Sequence, residues 1–391
     1  MTRIFPALAL ALLALLPASS ARRLQEHGGD GPISAPNAVI PGGDFRKDNA
    51  AAGNLTLLNN APAGSPLVAL NPAFWELVDP DAAVEVLAAK NYSFAHEAPV
   101  WLPETQQLFF VSNRLTDASG SPVVEQWLLG LDTGELRQLT PDPPILMANG
   151  GTPYGKRKVL VTSQDLNDTN GGLWLLDVAT QKSKPVVNNW GGLPVNSPND
   201  VAVHGPSGAI LFADPAYGFA QGFRPAPLVG NWVWLFHPPT NTTAPVADGF
   251  VKPNGVAFSP DFSIAYVTDT GAVDGTGQPA SFAAAAPAIY AFDVELDGSG
   301  LPTLQRRRLF GVCPSGIPDG IKLDERGNVY VGVPGGVDVF DPTGLTLGSF
   351  AVGPTANLAL AGDTLVMMQE KKITAVQLRV KGARLPLQAA E

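Results

Sequence analysis

The residues whose types and spacing are suited to chemistry in this chain are oxygen donors. Six short segments each begin with an oxygen-bearing side chain, pass through a small residue or a tight step, and run into an apolar strand. They are Glu97-Ala98-Pro99-Val100-Trp101, Asn149-Gly150-Gly151, Asn199-Asp200-Val201-Ala202-Val203, Asn254-Gly255-Val256-Ala257-Phe258, Asp319-Gly320-Ile321-Lys322-Leu323 and Asn357-Leu358-Ala359-Leu360. They recur at intervals of roughly 40–65 residues, the range in which an internal period signals a propeller or a solenoid. In a β-propeller the innermost strand of each blade starts at the central channel, so residues at this position face one another. Two carboxylates and four amide carbonyls in such a ring make a hard-oxygen cage, which suits calcium better than softer metals. Ca2+ is the expected ion, with Mg2+, Mn2+ and Zn2+ as the remaining candidates.

The elements that must position this ring are strands. At 391 residues and 45% hydrophobic the chain can bury a sizeable core, and a closed all-β fold of this length is commonly one domain. Charged residues are only 15%, with 41 Gly and 37 Pro, a strand-and-turn composition. Paired strand signals follow each ring segment: 108–111 and 126–129, 159–162 and 173–176, 210–213 and 232–236, 264–267 and 289–292, 329–331 and 337–340, 365–368 and 373–376. The pattern predicts an all-β, six-bladed β-propeller with a central metal site, spanning residues 66–391. Residues 66–92, too few for a seventh blade, are expected to pack against the propeller or complete a blade. Residues 22–65 are rich in Gly, Asn, Ala, Pro and Asp and read as a flexible leader.

The first 21 residues have the anatomy of a signal peptide: Arg3, an apolar run from Ile4 to Leu16, and the small-residue stretch Pro17-Ala18-Ser19-Ser20-Ala21. That run is too short to span a bilayer. A secreted protein with no membrane association after signal removal is expected. The sequons at Asn54, Asn91, Asn167 and Asn241 fit that compartment as glycosylation sites. A formal charge of −10 argues against nucleic acid as a partner. The short basic runs Arg306-Arg307-Arg308 and Lys371-Lys372 read as solvated loop or edge-strand residues. Cys313 is the only cysteine, so no intramolecular disulfide exists, and a buried or inert thiol is expected. Oligomeric state is not legible from the sequence.

Three longer stretches carry a resemblance. Asn196-Ser197-Pro198-Asn199-Asp200-Val201 leads to Phe212-Ala213-Asp214-Pro215-Ala216-Tyr217-Gly218. Lys252-Pro253-Asn254-Gly255-Val256-Ala257-Phe258-Ser259-Pro260 leads to Tyr266-Val267-Thr268-Asp269-Thr270-Gly271. Gly316-Ile317-Pro318-Asp319-Gly320-Ile321 leads to Gly327-Asn328-Val329-Tyr330-Val331-Gly332. From about Phe94 onward the chain resembles the gluconolactonase/regucalcin (senescence marker protein) family. It is most similar to secreted lactonohydrolase-like members, through Phe94-Ala95-His96-Glu97-Ala98-Pro99-Val100 and Gln221-Gly222-Phe223-Arg224-Pro225-Ala226-Pro227. The resemblance implies a six-bladed propeller that holds a divalent ion and hydrolyses lactones. It puts Glu97, Asn254 and Asp319 on the family's metal-ligand positions and Asn199 on a position that binds metal or substrate. It also assigns the catalytic base to Asp319.

The implied chemistry is opening of the ester ring of a sugar lactone or related hydroxylated lactone. A hard cation would polarise the carbonyl, and Asp319 would take a proton from the attacking water or attack directly to give an acyl intermediate. Asn149, Asn357, Arg224 and Tyr217 are the expected substrate contacts. His96 is expected in a supporting or core position, because neighbours on a strand point to opposite sides. His204 and His237 read as surface residues, and Asp214 and Asp269 as residues that hold loops. Two other readings keep the fold: an organophosphate or aryl-ester hydrolase on the same site, as in the paraoxonases and diisopropyl fluorophosphatase it also resembles, and a non-catalytic ligand-binding propeller.

Overall fold

In the first blade, Leu108, Phe109, Phe110 and Val111 are apolar at every position, and all four side chains are fully buried. A strand shows alternate side chains on opposite faces, so a strand apolar on both must be covered on both. Leu108 and Phe110 pack toward the sixth blade, while Phe109 and Val111 pack toward the second. The same division holds around the molecule. Its core is six apolar wedges, one between each pair of neighbouring blades.

The computed structural model describes residues 65–166, 171–273 and 287–384. Blade one contains Glu97–Leu102, Gln107–Val111, Gln126–Gly130 and Leu136–Leu139. Blade two has Ala148–Pro153, Lys158–Ser163, Gly172–Asp177 and Ser183–Val187. Blade three has Val201–Val203, Ile210–Asp214, Trp232–His237 and Thr242–Ala247. Blade four comprises Pro253–Phe258, Ile264–Asp269, Ala288–Leu296 and Pro302–Gly311. Blade five comprises Ile321–Leu323, Val329–Val333, Gly336–Phe340 and Thr346–Phe350. Each is an antiparallel sheet running from the channel outward in chain order. The fold is the expected all-β, six-bladed propeller.

Blade six shows how the ring closes. Its last three strands, Leu358–Ala361, Thr364–Gln369 and Lys372–Gln377, would leave an open outer edge. Glu85–Ala89 covers that edge by pairing with Lys372–Gln377. A little earlier, Leu67–Ala69 adds a fifth strand to blade five beside Thr346–Phe350. Residues 66–92 therefore both pack on one blade and complete another, tying the start of the propeller to its end.

Several peripheral expectations are met in detail. Arg306–Arg308 lie on the exposed outer strand of blade four, where Arg306 and Arg308 pair with Asp293. The Arg307 guanidinium covers the Tyr290 ring at 4.0 Å. Cys313 is buried, and burial pushes its thiol up. His204 departs from the surface position expected of it. Its ring is buried against Phe258 and Phe262 at the wedge between blades three and four, because the strand ending at Val203 delivers it under the next blade. His237 is half-buried and bonds Thr240. Asn91 and Asn241 are exposed. The expected signal peptide, nearly all of the leader, and the sequons at Asn54 and Asn167 lie outside the described residues.

Candidate active site

The repeat of an oxygen donor followed by glycine looks like turn chemistry, yet Gly150, Gly255 and Gly320 are not in the left-handed region. Close approach is what excludes a side chain there. A Cβ on Gly150 would lie 2.2 Å from the Asn199 carbonyl oxygen, on Gly255 2.6 Å from that of Asp319, and on Gly320 2.3 Å from the Asn357 side chain. Glycine lets one donor residue tuck against another on a neighbouring strand, and this draws the ring closed.

A threonine on the second strand fixes two of these junctions. In blade two, Asn149 and Gly150 together oppose Thr162, a bulge in the ladder. The Thr162 hydroxyl accepts from the Gly150 amide at 2.7 Å and donates to the Asn199 carbonyl at 2.6 Å. Blade four repeats the device. Asn254 and Gly255 oppose Thr268, whose hydroxyl accepts from Gly255 at 2.7 Å and donates to the Asp319 carbonyl at 2.7 Å. The bulge turns the asparagine side chain to the channel, and the threonine pins the next donor beside it. These threonines were not anticipated; their shared place at the end of an apolar strand was the available signal.

The upper ends of the inner strands enclose a cavity of about 680 Å³ lined by Glu97, Asn149, Asn199, Asn254 and Asp319, together with His96 and Tyr217. Glu97, Asn199 and Asn254 are no more than 4% exposed. The Oδ1 atoms of Asn149, Asn199 and Asn254 are buried and accept no hydrogen bond among the described residues. Buried acceptors of this kind are normally satisfied, so three at one cavity describe a site built to receive a donor or a cation. Asn357 plays a different part. It is buried outside the cavity lining, accepts from Leu358, and donates to Glu97 Oε2 at 2.7 Å. From there it aims the Glu97 carboxylate.

Electrostatics separate the two carboxylates from ordinary surface acids. Burial and the neighbouring charge of Glu97 hold Asp319 well above the usual carboxylate range, against the opposing pull of His96 and the hydrogen bond from Asn254. Burial also raises Glu97, with His96 and Asn357 pulling it down. His96 lines the same cavity as Glu97, contrary to the alternation argument. His96 precedes the strand, which begins at Glu97 and slips in register straight after it, so strand alternation does not extend to His96. Its Nδ1 lies 2.6 Å from Glu370 Oε1. Burial alone would lower His96, but the hydrogen bond and charge of Glu370, with Glu97 and Asp319 near, push it up to about 9. Glu370, lowered to about 2 and also bonded by Asn113, completes a pair that spans blades one and six. No local sequence signal links residues so far apart.

The remaining candidates divide. Tyr217 sits on the short helix Tyr217–Ala220, is buried at the cavity wall and reaches Thr270 and the Asn254 amide. Arg224 is not on this cavity. Its guanidinium turns inward to the Val195 carbonyl at 2.8 Å and Asp165 at 3.6 Å, because the loop carrying it folds back against the short helix. Asp214 and Asp269 hold loops: Asp214 accepts from the amides of Asn196 and Ser197 and the Trp234 indole, and Asp269 from Val251, Lys252 and Gly271. Among the described residues, no three His, Cys, Asp or Glu side chains gather to hold a metal. Any ion at this ring would depend on the amide oxygens of Asn199 and Asn254 beside Glu97 and Asp319, a donor set of the hard kind.

Comparison with known proteins agrees with this geometry. Residues 95–368 match the family model described as SMP-30/Gluconolactonase/LRE-like region. A lactonohydrolase of Aspergillus oryzae is 28% identical over 361 residues, covering 74% of this chain and 75% of its own. The solved structure of a gluconolactonase from Xanthomonas campestris is 26% identical with a TM-score of 0.64, covering 81% of this chain and 97% of that one. A regucalcin from Agrobacterium tumefaciens, described as a calcium-binding protein, shares the fold at 21% identity and a TM-score of 0.59, over 78% of this chain and 97% of that one. The chain belongs to the SMP-30/Gluconolactonase/LRE-like family, with enzymes of the lactonase class among its relatives.

Proposed function

We propose that this protein hydrolyses a hydroxylated lactone of the sugar-lactone type, with Asp319 activating water. In this reading Glu97, Asn199, Asn254 and Asp319 hold a divalent cation, calcium foremost. The observation that carries it is the convergence of two carboxyl groups, Glu97 buried and Asp319 half-buried, and three unsatisfied amide oxygens on one cavity. The lactonohydrolase and gluconolactonase relatives support the substrate class, and the calcium-binding regucalcin supports the ion.

When bound, the cation supplies Lewis-acid polarisation of the ester carbonyl. Asp319 takes a proton from water as the water oxygen adds to the carbonyl carbon. Collapse of the tetrahedral species breaks the bond to the ring oxygen, and the proton held by Asp319 passes to that oxygen. A carboxylate raised by burial and by a neighbouring negative charge is a stronger base than one in water. Asn357 fixes the Glu97 carboxylate, and Asn149 Oδ1 is open to accept from a substrate hydroxyl. Export through the N-terminal signal, with glycans on the exposed Asn91 or Asn241, belongs to the same reading and is checked by intact mass of native material.

The test is hydrolysis of a lactone panel followed by pH-stat, with and without chelator, beside melting temperature under the same conditions. Activity should vanish on chelation and return with calcium, and the melting temperature should rise with the ion by mass action. Full turnover by metal-free protein would remove the cation from the mechanism. A panel with no substrate would remove the activity.

A further inference from the structure

The cavity around the ring is not equally polar on all sides. Blades one to three place Asn113, Arg114, Gln164 and Gln221 on its lining, beside a few apolar side chains. From Val273 onward the lining is Val273, Ile317, Val333, Pro334, Pro354 and Ala356, with Asp319, Thr355 and Glu370 as its polar side chains among the described residues. The apolar residues of blades five and six are contiguous around Asp319. Ile317 precedes it by two positions. The Asp319 amide donates to the Gly332 carbonyl at 2.9 Å, which brings Val333 alongside. The Thr355 amide donates to the Val333 carbonyl at 3.1 Å, and the Gly320 amide to that of Ala356 at 2.8 Å. Gly316 packs so closely on Pro334 that a Cβ there would lie 2.9 Å from its ring.

The same bonds leave this wall little to offer a hydroxyl group. The carbonyls of Gly332, Val333 and Ala356 are engaged by those amides, and the Thr355 hydroxyl donates to the Gly353 carbonyl at 3.1 Å. Pro334 and Pro354 carry no N–H. A substrate hydroxyl pressed here would lose water without gaining a partner, whereas a hydrocarbon group would gain by leaving water. Blade two stands opposite blade five in a ring of six. There Asn149 Oδ1 is buried and accepts no hydrogen bond among the described residues, so that side receives hydroxyls.

We infer that the substrate ring carries a hydrocarbon substituent turned toward blades five and six, and that Ile317 selects for it. This rests on the reading of the cavity as a lactone-hydrolysing site. It narrows the substrate class to lactones hydroxylated on one side and alkylated on the other. The wall needs no separate partner, because the group that covers it is part of the molecule held at Asp319.

Initial rates by pH-stat at saturating calcium test this with three lactones: α-hydroxy-γ-butyrolactone, its γ-pentyl derivative, and an aldono-γ-lactone whose side arm is hydroxylated. Wild type should favour the pentyl compound over the other two by at least about 10-fold in kcat/KM. Ile317→Asn should lower that preference by about 10-fold, and Ile317→Leu should keep it. Pro354→Ser lies in a different segment and should lower it as well, which covers an Ile317 variant that fails to fold. A general defect lowers all three rates together and leaves the preference alone. An unchanged preference in the Asn and Ser variants, or a wild type that prefers the hydroxylated arm, overturns the inference while the lactonase reading stands. Failure of wild type to hydrolyse any lactone instead overturns the reading of the site itself.

Discussion

The two ends of the central channel are built from the same six strands and could hardly differ more. At the end where those strands start, bulges and close-approach glycines crowd carboxylates and amides around a cavity of about 680 Å³. At the other end a larger cavity, about 800 Å³, is lined by Val100, Thr152, Ala202, Ala257 and Leu360, with Lys322 reaching inward. Cavity size therefore does not locate the chemistry. The candidate site is marked instead by convergent polar groups, since buried acceptors are normally paired and three unpaired ones open on the smaller cavity.

The largest effect should come from the chemical group at the donor-rich end. Asp319→Asn keeps an oxygen but cannot accept the water's proton, so turnover should fall by on the order of 100-fold or more, with the melting temperature little changed. Glu97→Gln should instead weaken calcium binding, with activity partly recovered at high calcium. Near-full lactonase activity in Asp319→Asn at saturating calcium would mean that another group activates the water.

Next in size is the packing that shapes this end. Gly320→Ala would set a Cβ 2.3 Å from the Asn357 side chain, and overpacking of this kind costs about 1–3 kcal/mol. Gly298→Ala, with nothing within 4 Å, should stay within about 0.5 kcal/mol of wild type. Denaturant unfolding of the two variants compares them directly. Equal stabilities would break the account of why glycine follows the donors.

Asp214 separates loop-holding acids from ring acids through pH. Burial pushes it up to about 7 from 3.8, even though three N–H groups bond it. A carboxyl raised in the folded state contributes stability that is fully present below about 3.8 and is lost as pH rises through about 7. Wild type should therefore lose melting temperature relative to Asp214→Asn across that window and run parallel to it above. Parallel curves throughout would show that the hydrogen bonds outweigh burial. The smallest effect belongs to the far end: Ala202→Ser should leave turnover unchanged and stability within about 0.5 kcal/mol.

The blades were legible because a strand between two neighbours must be apolar on both faces, and runs such as Leu108-Phe109-Phe110-Val111 record that directly. Glu97, Asn199, Asn254 and Asp319 were legible because each opens a repeat, and a repeat in a closed ring places its copies face to face. Asn357 shares the position, yet it lies outside the cavity lining and its amide bonds Leu358 and Glu97. Arg224 was expected at the channel for a different reason, its place with Tyr217 on one loop, and that loop turns the guanidinium inward.

By itself the sequence determined the number of blades, the order of the strands and that Glu97, Asn149, Asn199, Asn254 and Asp319 line the channel, since these follow from period and alternation along the chain. Only the tertiary structure decided the rest. It fixed how residues 66–92 close the ring, that Thr162 and Thr268 pin the donors, that His96 joins Glu370, and that Lys322 meets Asp200. The physical reason is shared. Each of these contacts joins segments distant in the chain or on neighbouring blades, at distances set by bulges and left-handed residues that interrupt the strand period, and no local pattern carries that information.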